Sequence, residues 1–230
     1  MPRSSERGIL ADLGEPDLSI LLTRRKSLMA NFLSAPEEAM GYLLSADNPD
    51  RQNTLRAAIA MSRIFAYLQA ARHQVRLIET YEKKIVPKKA SYSANMIQAF
   101  IHVHLYFICW AAIGRMIEVI RRCSGLEGPN KVWKKYRRAL ESYSDARDHF
   151  EHYEERLPGG KMPGKLGSPG DYGSLHKGSF SLWGYRWDVS KESLKKLETI
   201  VTGLDETICR ETCERSRGQM PVKFPSSNRA

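Results

Sequence analysis

Residues 99–114 read AFIHVHLYFICWAAIG. How this run is read decides the fold. A membrane-spanning helix needs about 20 consecutive apolar residues. This run is shorter and carries His102 and His104. It is therefore expected to be the most enclosed helix of a bundle, running from about Ser93 to Arg122, with no membrane involved.

Working outward, the flanking sequence supplies partners for that helix. Upstream, Met61, Ile64, Leu68, Ala71, Val75 and Ile78 recur at spacings of three and four, a single apolar stripe. That helix is expected to start after Asn53 as N-cap. It ends with Lys83 and Lys84, favourable against the helix dipole, before Pro87. Downstream, a turn over Gly125–Asn130 leads to a third stripe: Val132, Tyr136, Ala139, Tyr143, Ala146, Phe150, Tyr153 and Leu157. Pro158-Gly159-Gly160 closes it. The Gly/Pro/Lys-rich stretch from Gly159 to Gly178 reads as loop. Ser179–Trp183 and Tyr185–Val189 alternate around Gly184 as a β-hairpin. Ser190 then caps a last helix striped by Leu194, Leu197, Val201, Leu204 and Ile208.

The expected fold class is all-α: an antiparallel four-helix-type bundle with extra N-terminal helices and a small β-hairpin before the last helix. Residues 1–50 are read as an arm with short helices. Residues 51–214 form the bundle, with loop and hairpin over 158–189, and 215–230 are expected to be a disordered tail. The N-terminus lacks a basic-then-apolar secretory layout, and Cys109, Cys123, Cys209 and Cys213 lack zinc spacing. A cytoplasmic protein with free thiols, no cofactor and no metal is expected.

Charge is unevenly spread. The chain carries a net +10, yet residues 1–50 hold 5 basic and 8 acidic residues, whereas 51–90 hold 9 basic and 2 acidic. Arg63, Arg72, Arg76, Lys83 and Lys84 on the first long helix are candidate RNA-binding residues, because concentrated positive charge attracts polyanions. A solvated face that aids solubility is the competing use.

The candidate chemistry lies on the third helix, in Ala146-Arg147-Asp148-His149-Phe150-Glu151-His152. At about 100° per residue, His152 falls opposite the apolar stripe, and Arg147 is separated from it by about 140°. A histidine placed there is no core residue. It is a solvent-facing histidine or a functional one. Asp148, four residues before His152, can accept an imidazole N–H and fix its tautomer. Glu151, four after Arg147, can restrain the arginine. His149, on the flank of the stripe, is expected to pack, and His102 and His104 to make interhelical hydrogen bonds. Trp183, Tyr185 and Trp187 are expected to cover the end of the bundle, with base stacking as the other use.

Arg147 and His152 make an R-x4-H pattern with a polar residue directly after the arginine. It resembles the R-x(4–6)-H motif of the HEPN superfamily, helical bundles of about this size. Many members are ribonucleases of toxin–antitoxin, CRISPR-associated and other defence systems. The ending His152-x-x-Glu155-Arg156-Leu157 is also similar to HEPN-like proteins, and the resemblance spans roughly residues 50–210. Glu154 stands where the subgroup paired with nucleotidyltransferases has tyrosine, so that pairing is not implied.

The resemblance implies a metal-independent endoribonuclease with Arg147, His152 and Asp148 as catalytic residues. The alternative is a non-catalytic module binding RNA, nucleotide or protein. Metal-free RNA cleavage needs a base for the 2′-hydroxyl and a cation for the phosphorane, tasks suited to a histidine and an arginine. RNA, a second copy of the chain and an antitoxin or other partner protein are the expected partners. A homodimer would cover the outward face carrying Arg147 and His152.

Overall fold

The computed structural model describes residues 51–87, 89–152 and 173–216. The expected N-terminal arm and short helices, most of the Gly/Pro-rich loop and the tail beyond Ser216 lie outside them.

The described chain is mostly helical, with four helices: α1 (Arg51–Lys84), α2 (Tyr92–Cys123), α3 (Gly128–Glu151) and α4 (Lys191–Ser216). The stripes of α1 and α4, and that of α3 as far as Phe150, face the core, while Tyr153 and Leu157 lie outside the described residues. Met61, Ile64, Leu68, Ala71, Val75 and Ile78 of α1 are all buried, as are Leu197, Val201, Leu204 and Ile208 of α4. Trp110, Tyr106 and Phe107 of α2 are the largest fully buried side chains.

Cross-helix contacts fix the packing. Asn95 bonds the Lys84 carbonyl while His102 reaches Gln74, so α1 and α2 run in opposite directions. Phe107 meets Phe150, and Gly114 faces Leu140, giving the same relation for α2 and α3. Glu127 N–H donates to Glu211, whereas the Tyr143 hydroxyl reaches the Asp188 carbonyl just before α4. Arg72–Glu198 and Lys191–Glu79 tie α4 back to α1. The α3–α4 start is close: a Cβ on Gly128 would come within 2.6 Å of Thr207. The buried Glu211 carboxylate, accepting at 2.8 Å, satisfies a donor at that N-terminus.

Four boundaries differ from the sequence reading. The first helix begins at Arg51, so Asn53 lies within it rather than capping it. The last extends to Ser216, past the expected start of the tail. The third ends at Glu151, with His152 as its C-cap, so the pattern up to Leu157 overruns the described helix. The hairpin is one part of a three-stranded antiparallel sheet: β1 (Ser174–His176), β2 (Ser179–Leu182) and β3 (Tyr185–Asp188).

β1 comes from the stretch read as loop. Its register, His176↔Ser179, leaves Lys177 and Gly178 as the turn, and Leu182↔Tyr185 leaves Trp183 and Gly184. All four turn residues have positive φ, the type I′ geometry that suits the twist of a hairpin. Gly178 is doubly required. Its N–H donates to the Glu82 carboxylate of α1, and a Cβ there would meet Ser190 at 2.7 Å. Phe180, Leu182 and Trp187 turn the sheet's inner side into core.

α2 is long and apolar enough to cross a membrane by composition, but half of its most apolar window is buried inside the protein. Core helices of soluble proteins share that property. It is not enclosed all round, as its composition suggests: Ile97, Ile101 and Leu105 form an exposed i, i+4, i+8 stripe. Cys109 and Cys123 are free thiols, burial pushes the Cys109 pKa up to about 11, and the Cys209 thiol faces Asp205 Oδ1 at 4.0 Å.

Candidate functional site

The motif is placed where α3 runs out. Arg147 is in the last turn, its side chain only 18% exposed, and it lies between two carboxylates. Asp148 Oδ1 accepts from Arg147 Nε at 3.0 Å and from Nη2, and Glu151 Oε2 stands 3.3 Å from Nε. The expected Glu151–Arg147 pair is present. The Asp148 carboxylate is also engaged by the adjacent guanidinium through Oδ1, a charge-assisted contact.

His152 is exposed at the C-cap, and its backbone N–H donates to the Asp148 carbonyl at 3.1 Å. Both carboxylates around Arg147 are nearly half exposed, and such ion pairs are worth only about 0–1 kcal/mol each. A phosphate can therefore displace one of them without a large penalty. The arrangement offers a restrained cation and, directly after its second carboxylate partner Glu151, a solvent-accessible imidazole.

A residue outside the motif also belongs to this cluster. His104 of α2 stacks flat on Phe150, with centroids 5.1 Å and planes 7° apart. Its Nε2 is buried with no hydrogen-bond partner among the described residues. Burial lowers its pKa, opposed by Glu151 and reinforced by Arg147. The interhelical hydrogen bond expected of both α2 histidines forms only at His102, whose Nδ1 pairs with Gln74 Oε1 at 2.9 Å. The two-residue spacing sends the rings to different neighbours, His102 to α1 and His104 to α3. Sequence reasoning gave His104 an interhelical hydrogen bond and could not show that α3 sets Phe150 against it, near Glu151 and Arg147.

On the other side of Asp148, the outward face of α3 and strand β3 enclose a groove of about 610 Å³. The aromatics expected to cover the bundle end divide here. Trp187 is buried and donates Nε1–H to the Ser142 carbonyl at 3.1 Å, whereas Tyr185 stands 54% exposed. His149 packs against Trp183, Tyr185 and Trp187, in keeping with its place on the flank of the stripe.

The candidate RNA-binding cations do not make one patch. At about 100° per residue, Arg63 falls on the opposite flank of the α1 core stripe from Arg72, Arg76 and Lys83. Arg72 is committed to Glu198 at 2.7 Å. Arg63, Arg76, Lys83 and Lys84 are exposed, and Lys84 sits 5.3 Å from the Tyr81 ring centre. Lys83 and Lys84 are at the end of α1 that meets the start of α2, where Asn95 bonds the Lys84 carbonyl.

Among the described residues, no group of three His, Cys, Asp or Glu side chains is placed to hold a metal ion. No protein-family model, curated protein or solved structure matches the chain.

Proposed function

We propose that the chain is a HEPN-like antiparallel four-helix bundle that cleaves RNA without a metal, in the cytoplasm, as a homodimer. The observation that carries this reading is the end of α3. A shielded arginine held by two displaceable carboxylates lies five residues before an exposed histidine. His152 is the base for the 2′-hydroxyl. Arg147, released from Asp148 or Glu151 by the incoming phosphate, offsets the charge of the phosphorane. Asp148 holds Arg147 in reserve and, four residues before His152, is spaced to orient the imidazole.

The dimer rests on the exposed Ile97, Ile101 and Leu105 stripe. It flanks His104, and through it the Arg147–Glu151 pair. A second copy seated there would bury apolar surface and bring two motifs together, in the C2 arrangement commonest among oligomers. A toxin or other defence role, with an antitoxin as partner, follows from the resemblance alone.

A second reading is favoured by the same ion pairs: a guanidinium with two carboxylate partners suits a non-catalytic module whose arginine is structural. Purified protein incubated with mixed-sequence RNA in EDTA separates the two. Cleavage in EDTA supports the nuclease. Cleavage that requires added magnesium rules out the mechanism, and RNA binding without cleavage selects the module. Light scattering should give twice the 26.2 kDa chain mass; a monomer at micromolar concentration would refute the dimer.

A further inference from the structure

We propose that the groove between α3 and β3 is a nucleobase subsite that favours guanine, with Tyr185 as stacking platform and Asp145 as the reader of the base edge. It rests on the ribonuclease reading for its substrate class, and the groove shares Asp148 with the motif while Tyr185 and Asp145 lie outside it.

The platform is built from two rings of different status. Trp187 is fixed by burial and by its bond to the Ser142 carbonyl. Tyr185 lies nearly parallel to it, 5.8 Å away and 23° tilted, with its outer surface open to the groove. A rigid floor beneath an exposed ring is what stacking of a flat, uncharged heterocycle needs. Tyr185 also packs on His149, with ring centres 4.7 Å apart, and still leaves more than half of its surface exposed.

The charges of the opposite wall are nearly balanced, so a nucleotide is not repelled. Glu141 is held by Arg137 at 2.6 Å, and Asp148 by Arg147. That leaves Asp145 and Arg138 on the groove. Burial, then Asp148 and Glu141, raise the Asp145 pKa, so donors brought to this carboxylate relieve a repulsion already present. Guanine is the one RNA base that sets a ring N–H beside an amino group, and a single carboxylate accepts both. Adenine and cytosine put an acceptor beside their amino group, and uracil flanks its N–H with two carbonyls. Arg138 is then placed for the nucleotide's phosphate.

Titrating the full chain with guanosine, adenosine, cytidine and uridine 5′-monophosphates tests this without any cleavage. We expect GMP to bind about tenfold tighter than the other three. Tyr185→Ala should weaken all four at least about fivefold, and Tyr185→Phe should restore them. Asp145→Asn should erase the guanine preference while leaving the shared affinity. Equal binding of the four, no binding, or a GMP preference that survives Asp145→Asn would overturn the subsite. GMP binding with these dependences in a protein that leaves RNA intact would uphold the subsite and reject the nuclease. Cleavage of RNA with no base preference would do the opposite.

Discussion

Trp110 and His152 mark two regions that share the same pair of helices and are held together by different physics. Around Trp110, aromatic rings close on one another: Trp110 stacks on Tyr143 at 4.1 Å, and Phe107 meets Tyr143, Phe150, Phe180 and Trp187. Both phenol tips there are tied off, while the buried Trp110 Nε1 has no hydrogen-bond partner among the described residues. The Tyr143 hydroxyl donates to the Asp188 carbonyl at 2.5 Å, and the Tyr106 hydroxyl pairs with Ser193 Oγ at 2.8 Å. Burial drives both phenols far above their ordinary range, so neither titrates. Around His152 the polar groups answer mainly to one another, through exposed ion pairs, and the His104 Nε2 is left unanswered. Packing fixes the first region. Electrostatics that a ligand can rearrange hold the second.

That contrast can be broken most forcefully at its rigid pole. Trp110→Ala should destabilise the protein by about 3–5 kcal/mol in denaturant titrations, because a fully buried ring and its stacking partner are lost together. His152→Ala, at the exposed pole, should move stability by no more than about 0.5 kcal/mol. Comparable losses for the two would mean that the end of α3 is packed like the centre.

Acid sharpens the comparison by acting on the unanswered imidazole. The pKa of His104 is lowered from 6.5, as is that of His102, in both cases first by burial. The unfolded chain therefore takes up these protons before the folded one. Stability should be fully present above the unfolded value of 6.5 and should fall as pH drops through it toward the lower folded values. Melting temperatures between pH 7.5 and 5.5 should decline in wild type and less steeply in His104→Phe. An unchanged slope in the variant would show that the ring carries no such penalty.

A small effect also belongs to an ion pair between partly shielded groups. Glu198→Gln removes the partner of Arg72, and the cost should be at most about 1 kcal/mol, shrinking as salt is added. A larger, salt-insensitive loss would make this pair part of the rigid framework.

How far the sequence could be read follows the same division. The α1 stripe was legible because six apolar residues at helical spacing have one physical use, and all six are buried. β1 was not. Ser174-Leu175-His176 offers a single inward residue, and its turn uses Lys177 where Asn or Asp would signal type I′ geometry. The end of α3 was misjudged because periodicity reports which residues can be buried, not where the hydrogen-bond ladder stops. The exposed face of α2 was hidden for a related reason: exposed apolar residues have the same composition as buried ones. At the site, Arg147, Asp148 and Glu151 could be placed by helical spacing. His104 and the Asp145–Tyr185 groove required tertiary contacts that no local pattern announces.

The central claim, that Arg147 and His152 act together on RNA, is tested most directly by comparing cleavage of one RNA substrate by wild type, His152→Ala and Arg147→Ala in EDTA at matched fold. Loss of the base should lower the rate about 10²–10⁴-fold. Loss of the arginine should lower it about 10²–10³-fold, with Asp148→Asn in between wild type and these variants. Cleavage by His152→Ala at the wild-type rate would contradict the account and leave the end of α3 as a binding surface.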